Sequence, residues 1–306
     1  MNRLTGKLLI VFCVLILSAC VSKADDFFPF IFSNGATYIP QVPGLPSGVN
    51  NSGQVVGSFT MSTGFDGGYL YSNGTVSALN VPNAVETEVR GINDNGQIVG
   101  AVRAQATICG GINCAAYVYS GGVYSVFSAP GADDTAAYGI NDNGQIVGYW
   151  VSGNSEHGFL YAGGNFTTLD VPGALGTSAQ GINNSGEIIG WYDTPSCGNY
   201  SFLYIQGSFT QLGPCQTYAT GISASGEITG YDISGGRLQG FTYNSGNFSL
   251  FNIPGAVTTD PQGISSDGNV FVGQFSTAEP GTCISLILGL GVLIAGALRP
   301  LKPVRS

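Results

Sequence analysis

Residues Gly91–Gly100 read Gly-Ile-Asn-Asp-Asn-Gly-Gln-Ile-Val-Gly, and the same ten residues return unchanged at Gly139–Gly148. Variants of this box begin at Gly48, Gly181, Gly221 and Gly263, so successive starts lie 43, 48, 42, 40 and 42 residues apart. A sustained period of this length marks an array of one repeated supersecondary unit. A second motif alternates with the box. Its best copy is Gly158-Phe-Leu-Tyr161 followed by Asn165-Phe-Thr-Thr-Leu-Asp-Val-Pro-Gly-Ala174, and the others start near Phe30, Gly68, Ala116, Ser201 and Gly240. Six units therefore run in phase over residues 28–275.

Each unit reads as four short strands. Phe159–Tyr161 and Asn165–Val171 form a hairpin around Ala162-Gly163-Gly164, with side chains alternating between two faces. Pro172-Gly173 ends it, because Pro lacks a ladder donor and Gly accepts turn dihedrals. A third strand enters the box, Asn184-Ser185-Gly186 turns the chain, and Glu187–Tyr192 is the fourth strand. Four strands per unit of about 42 residues predict an all-β fold, a six-bladed β-propeller, with a β-solenoid as the second choice. Closing the ring removes exposed sheet edges. The units are in phase, so no strand is expected to be exchanged between the two ends. Closure is expected to rest on packing of the first blade against the last.

Both flanks carry envelope signals. Arg3 and Lys7 precede an apolar run of twelve residues, Leu8–Ala19, the pattern of an export signal over residues 1–24. Two cleavage sites compete. Ser22-Lys23-Ala24 offers small residues for signal peptidase, whereas Leu17-Ser18-Ala19-Cys20 resembles a lipobox in which Cys20 is lipidated. Cleavage after Ala24 is preferred, because a second anchor stands at the other end. There the sixteen-residue apolar span 283–298 precedes Arg299, Lys302 and Arg305, which predicts a short transmembrane helix with a cytoplasmic basic end.

Glu279, Pro280 and Thr282, the apolar span and the basic end together resemble the PEP-CTERM sorting signal, here over residues 276–306, with Ala278 where that motif usually begins with Pro. The resemblance implies an exosortase-like membrane protease as partner. A plain membrane anchor is the alternative. The repeats resemble the HAF family through the box, His157-Gly158-Phe159 and the Phe-Thr-Thr-Leu-Asp-Val-Pro-Gly-Ala stretch. That resemblance implies an exported, repetitive, non-enzymatic protein with no agreed ligand.

Composition narrows the function. Between Asp25 and Thr277 three Arg face 17 Asp and Glu, with no Lys, a formal charge of −14. Such a surface repels phosphate backbones, which excludes nucleic acid as a partner. Catalysis has little to work with, since His157 is the only His and sits at a repeat start. Asp94, Asp142 and Asp267 read as turn residues rather than calcium ligands, because Asn51, Asn184 and Ala224 occupy matching places and the closing Glu of a calcium loop is missing. No metal or cofactor is expected.

Four cysteines fall in the exported part, where disulfides persist. Cys197 and Cys215 are symmetric about Gln206 in a hairpin turn and are predicted to pair; Cys109 and Cys114 are the second candidate pair. Trp150 and Trp191 follow the last Gly of their boxes, with Tyr149, Tyr192, Tyr231, Phe59 and Phe275 at comparable places. Inter-blade packing is the first reading of these rings and glycan contact by Trp150 and Trp191 the second. The expected function is a structural or adhesive protein of the cell surface or extracellular matrix, with exopolysaccharide as a further partner. The alternative is a lectin-like or glycan-active propeller, which requires one blade to depart from the rest with clustered acids and aromatics. The insertion Ala104–Ala115 departs but holds no acid.

Overall fold

The computed structural model describes residues 27–33, 36–38, 40–62, 64, 66–104 and 114–277. The chain begins with β1 (Phe27–Ser33) and β2 (Ala36–Tyr38). Five consecutive quartets follow. Blade 1 is β3 (Leu45–Val49), β4 (Val55–Thr60), β5 (Asp66–Ser72) and β6 (Thr75–Leu79). Blade 2 is β7 (Glu86–Ile92), β8 (Ile98–Arg103), β9 (Cys114–Ser120) and β10 (Val123–Phe127). Blade 3 is β11 (Asp134–Ile140), β12 (Ile146–Ser152), β13 (Ser155–Ala162) and β14 (Asn165–Leu169). Blade 4 is β15 (Thr177–Ile182), β16 (Ile188–Thr194), β17 (Cys197–Ile205) and β18 (Ser208–Leu212). Blade 5 is β19 (Thr217–Ile222), β20 (Ile228–Asp232), β21 (Gln239–Asn244) and β22 (Asn247–Phe251). The chain returns with β23 (Thr258–Ile264) and β24 (Val270–Ser276).

Six four-stranded antiparallel sheets form a six-bladed β-propeller. Each innermost strand touches the next, and β23 touches β3 to close the ring. Two sequence expectations are corrected here. The blade boundary falls inside the unit read from the sequence: the hairpin β13–β14 joins the box strands before it, not those after it. That shift of phase leaves β1–β2 without a box of its own. It completes blade 6, whose order is β23-β24-β1-β2, with Phe27 opposite Ser276 and Phe30 opposite Gly273. The ring is thus locked by strand exchange between the two ends, not by packing alone.

The box residues each have a physical duty. The first Gly lies where the innermost strands crowd the axis. A Cβ on Gly139 would stand 2.9 Å from the Gly181 Cα, and one on Gly91 would stand 2.5 Å from the Tyr138 carbonyl oxygen. The middle Gly takes the left-handed turn conformation, φ +74° at both Gly96 and Gly144. The last Gly sits under the aromatic ring of the next hairpin. A Cβ on Gly148 would meet the Ala136 carbonyl oxygen at 1.9 Å and the Phe159 ring at 2.9 Å. That ring, like Phe30, Phe202 and Phe241 in matching places, is fully buried. Between blades lie apolar clusters such as Val147, Leu169, Ala179, Ile182, Ile188 and Phe202.

The box Asn stitches blades together. Asn141 Oδ1 accepts the N–H groups of Asn143 and Gln145 in its own turn, while its Nδ2 donates to the Asn183 carbonyl of the next blade at 2.9 Å. Asn50, Asn93 and Asn183 donate in the same way to Asn93, Asn141 and Ser223. The following residue adds a second circuit. Asn51 N–H donates to Asp94, Asp94 N–H to Asp142, and Asp142 N–H to Asn184, each at 2.8–2.9 Å. Ala224 N–H reaches the Ser266 carbonyl at 2.7 Å, and Asp267 N–H reaches Asn51 Oδ1 at 2.8 Å across the seam. All six interfaces are bridged. Asp94 and Asp142 are therefore acceptors between blades as well as turn residues, a role the sequence reading missed.

Candidate binding site at the mouth of the axis

The innermost strands all start at the end of the axis opposite these turns. The residue just before the first box Gly lines the axial channel, next to the box residues that line it towards the turns. Around the ring this position holds Ser47, Arg90, Tyr138, Gln180, Thr220 and Gln262. This position varies in an otherwise repetitive chain. Flanking positions vary as well. Glu88 faces Ala101, Ala136 faces Tyr149, Ser178 faces Trp191, Tyr218 faces Tyr231, and Asp260 faces Gln274 in the registers of their strand pairs.

The mouth has two unlike halves. Blades 3 to 5 supply rings. Tyr138 and Tyr149 lie 5.7 Å apart, Trp191 stands edge-on to Tyr218 at 6.4 Å, and Tyr218 stacks on Tyr231 at 4.7 Å. All five are half-buried. Burial pushes the phenols of Tyr138, Tyr149 and Tyr231 up, so they stay neutral hydrogen-bonding groups. Blades 6, 1 and 2 supply polar groups instead. Arg90 pairs with Glu88 and lays its guanidinium 5.0 Å from the Tyr138 ring centre, a cation–π contact that joins the two halves.

Three carboxyls at the mouth have no cationic partner among the described residues. Burial raises Glu156 to about 7, with the nearby Asp193 carboxylate adding to the shift and the Ser178 hydroxyl opposing it; its Oε1 is buried without a hydrogen bond. Burial also raises Asp260 to about 6, although Gln274 and Gln262 donate to it. Asp193 is raised by burial too, and Asn199 donates to it at 2.6 Å. Elsewhere the carboxylates of Asp66, Glu86 and Glu88 come within 4.8 Å of one another. Glu86 is held by the buried Arg103 and Glu88 by Arg90. Two guanidiniums thus neutralise most of the charge a cation would need.

The residues singled out in the sequence scatter. Cys197 and Cys215 form a disulfide with Cα atoms 6.0 Å apart, tying the start of β17 to the loop before β19. Cys114 is disulfide-bonded as well, and Cys109 lies outside the described residues. Trp191 stands at the mouth. Trp150, one register step further along its strand, faces the other way. It stacks on His157 at 4.4 Å and packs against the cluster between blades 2 and 3. His157 Nδ1 meets the Asp170 carboxylate at 2.9 Å. Cys20, Glu279, Pro280 and Thr282 fall outside the described residues, as do both apolar runs, and no helix among the described residues is long and apolar enough to cross a membrane. Sequence reasoning missed the mouth. Its one available signal was the two acids Glu86 and Glu88 beside Arg90, a charge pattern found before no other box.

No family model matches the chain, and no curated protein matches it. Solved structures do. TolB from Acinetobacter baumannii superposes with a TM-score of 0.54 at 12% identity, over 84% of this chain and 66% of that one, so the present chain spans just under two thirds of its length. A TolB candidate from Agrobacterium tumefaciens gives 0.52 at 15% identity, over 82% and 98%. An arginine-to-alanine mutant of AofleA from Arthrobotrys oligospora gives 0.50 at 12% identity, over 85% and 86%. At such identities the likeness is one of fold, and it agrees with the strand order: the chain is a six-bladed β-propeller.

Proposed function

We propose that this chain is an exported, non-enzymatic propeller of the cell envelope or extracellular matrix, structural or adhesive in role and sorted by an exosortase-like protease. One observation carries the binding part of this reading. The repeated residues are spent on the scaffold, while the positions that differ from blade to blade converge on a single mouth. Material that merely fills space has no need of such a division. The envelope part rests on the signals read in the two flanking sequences.

The test is cell fractionation with epitope tags before residue 283 and after Ser306 in a host that has the sorting protease. The upstream tag is expected at the surface or in the matrix and the downstream tag is expected to be lost. A cytoplasmic protein would overturn the reading, and a mature protein keeping both tags would replace sorting by a plain anchor. A second reading, carbohydrate binding, is favoured by the five-ring half of the mouth, since flat aromatic faces suit pyranose rings. Retention of the full chain on immobilised exopolysaccharide, lost in Trp191→Ala, is its expected sign.

A further inference from the structure

Blade 1 departs from the other five. Four residues before the first box Gly they carry Thr87, Thr135, Thr177, Thr217 and Thr259, all buried. Four of these accept a backbone N–H from the preceding loop, and Thr217 donates to that loop instead. Blade 1 has Gly44 there, pressed so close to β4 that a Cβ would stand 2.1 Å from the Ser58 carbonyl oxygen. It also has Ser47 where its neighbours on the ring have Arg90 and Gln262, and Ser58 where blade 2 has Ala101 and the other four have Tyr149, Trp191, Tyr231 or Gln274. Ser47 and Ser58 are thus smaller than most of their counterparts around the ring. The space they leave is a cavity of about 460 Å³ between blades 6, 1 and 2 at the mouth. That lies within the roughly 300–1,000 Å³ range of small-molecule sites.

We propose that this cavity binds a neutral, hydroxyl-rich ligand, a mono- or oligosaccharide end, a refinement that rests on the carbohydrate-binding reading above. The lining matches vicinal diols. Glu88 and Asp66 accept and Arg90 donates, while the Ser58 hydroxyl is engaged with the Val89 backbone. Gln274 lines the cavity from blade 6, with its Nε2 held by Asp260 at 2.7 Å. The Glu88–Arg90 pair fixes both side chains before binding, which lowers the ordering cost. Phe59 gives a flat apolar wall. Two carboxylates against one guanidinium leave the lining net negative, which rejects uronates and other acidic sugars.

The experiment is calorimetric titration of the full chain in detergent with maltotriose, mannotriose, galactobiose and, as the acidic control, oligoglucuronate. One neutral probe is expected to bind saturably, and oligoglucuronate is not. Arg90→Gln and Ser58→Tyr install residues that other blades hold at the same positions, so a cooperative melt near that of the parent checks folding. Each is expected to weaken binding at least tenfold. Glu88→Gln keeps shape and is the second variant if either unfolds. Binding lost in Trp191→Ala but untouched by Arg90→Gln and Glu88→Gln would overturn the cavity while leaving carbohydrate binding intact. Absence of saturable binding by any neutral probe, or tighter binding of oligoglucuronate, would overturn the proposal outright. Surface location in the tagging experiment is independent of every one of these results.

Discussion

The two ends of the axis are built from the same six strands and yet obey opposite rules. At the turn end, Asn50, Asn93, Asn141 and Asn183 repeat one hydrogen-bond pattern from blade to blade. At the mouth, Ser47, Arg90, Tyr138, Gln180, Thr220 and Gln262 range from a small hydroxyl to a ring and a guanidinium. Arg90 and the turn residue Asn95 stand close in the chain and at opposite ends of this contrast. The contrast teaches that closure needs each blade to offer the next a matching donor or acceptor at one end, which four interfaces do through the box Asn and two through the Ala224 and Asp267 N–H groups. Once one end fixes the ring, the other is free to differ.

Substitutions test this division, beginning with the strongest. Gly148→Ala places a methyl against the Ala136 carbonyl oxygen and the Phe159 ring, and on the order of 4 kcal/mol of stability is expected to be lost; a denaturant midpoint near that of the parent would break the scaffold assignment. Next comes the disulfide beside the mouth. Its cysteines are 18 residues apart, and Cys197→Ala with Cys215→Ala is expected to cost about 3 kcal/mol in chemical denaturation, while Trp191-dependent binding weakens less than stability does.

Asn141→Ala removes a buried side chain that serves its own turn and the next blade. About 2 kcal/mol is expected in urea titration, against under about 1 kcal/mol for Tyr231→Phe at the mouth, which keeps the stacked ring. Equal effects would erase the difference between the two ends. The smallest effect is that of pH. Glu156 holds its proton up to about 7 in the folded chain against an ordinary 4.5, so the folded state binds more protons across that window. The stability contributed by Glu156 is therefore greatest below about 4.5, falls as pH rises towards 7, and levels off above it. Melting curves of Glu156→Gln are expected to lose this component of the slope; an unchanged slope would remove Glu156 from the buried carboxyls of the mouth.

Much of the scaffold was legible from local chemistry. The period counted the blades, because each box and each hairpin is a contiguous stretch whose turn residues declare themselves. The Cys197–Cys215 pair followed from symmetry about Gln206, since facing positions of a hairpin are neighbours whatever surrounds them. Trp150 and Trp191 show where that kind of reading stops. Both follow a box Gly, but one register step turns Trp150 into the interface between blades and leaves Trp191 at the mouth. The loops on either side of a hairpin look alike in sequence; only one of them keeps its strands in a single sheet.

The sequence by itself determined the number of units, their strands, the turn role of the box Asn and middle Gly, and one disulfide, because these depend on residues close together in the chain. Only the tertiary structure decided where a blade begins, and with it the exchange that pairs Phe27 with Ser276. Which neighbouring hairpin a box pairs with is settled by packing of Phe159-type rings over the last box Gly, an energy that exists only once the sheets form. The mouth is likewise tertiary. Its residues recur at intervals of about 42 in the chain and meet only when the ring closes, so neither the five-ring half nor the cavity beside Gly44 leaves a contiguous trace to read.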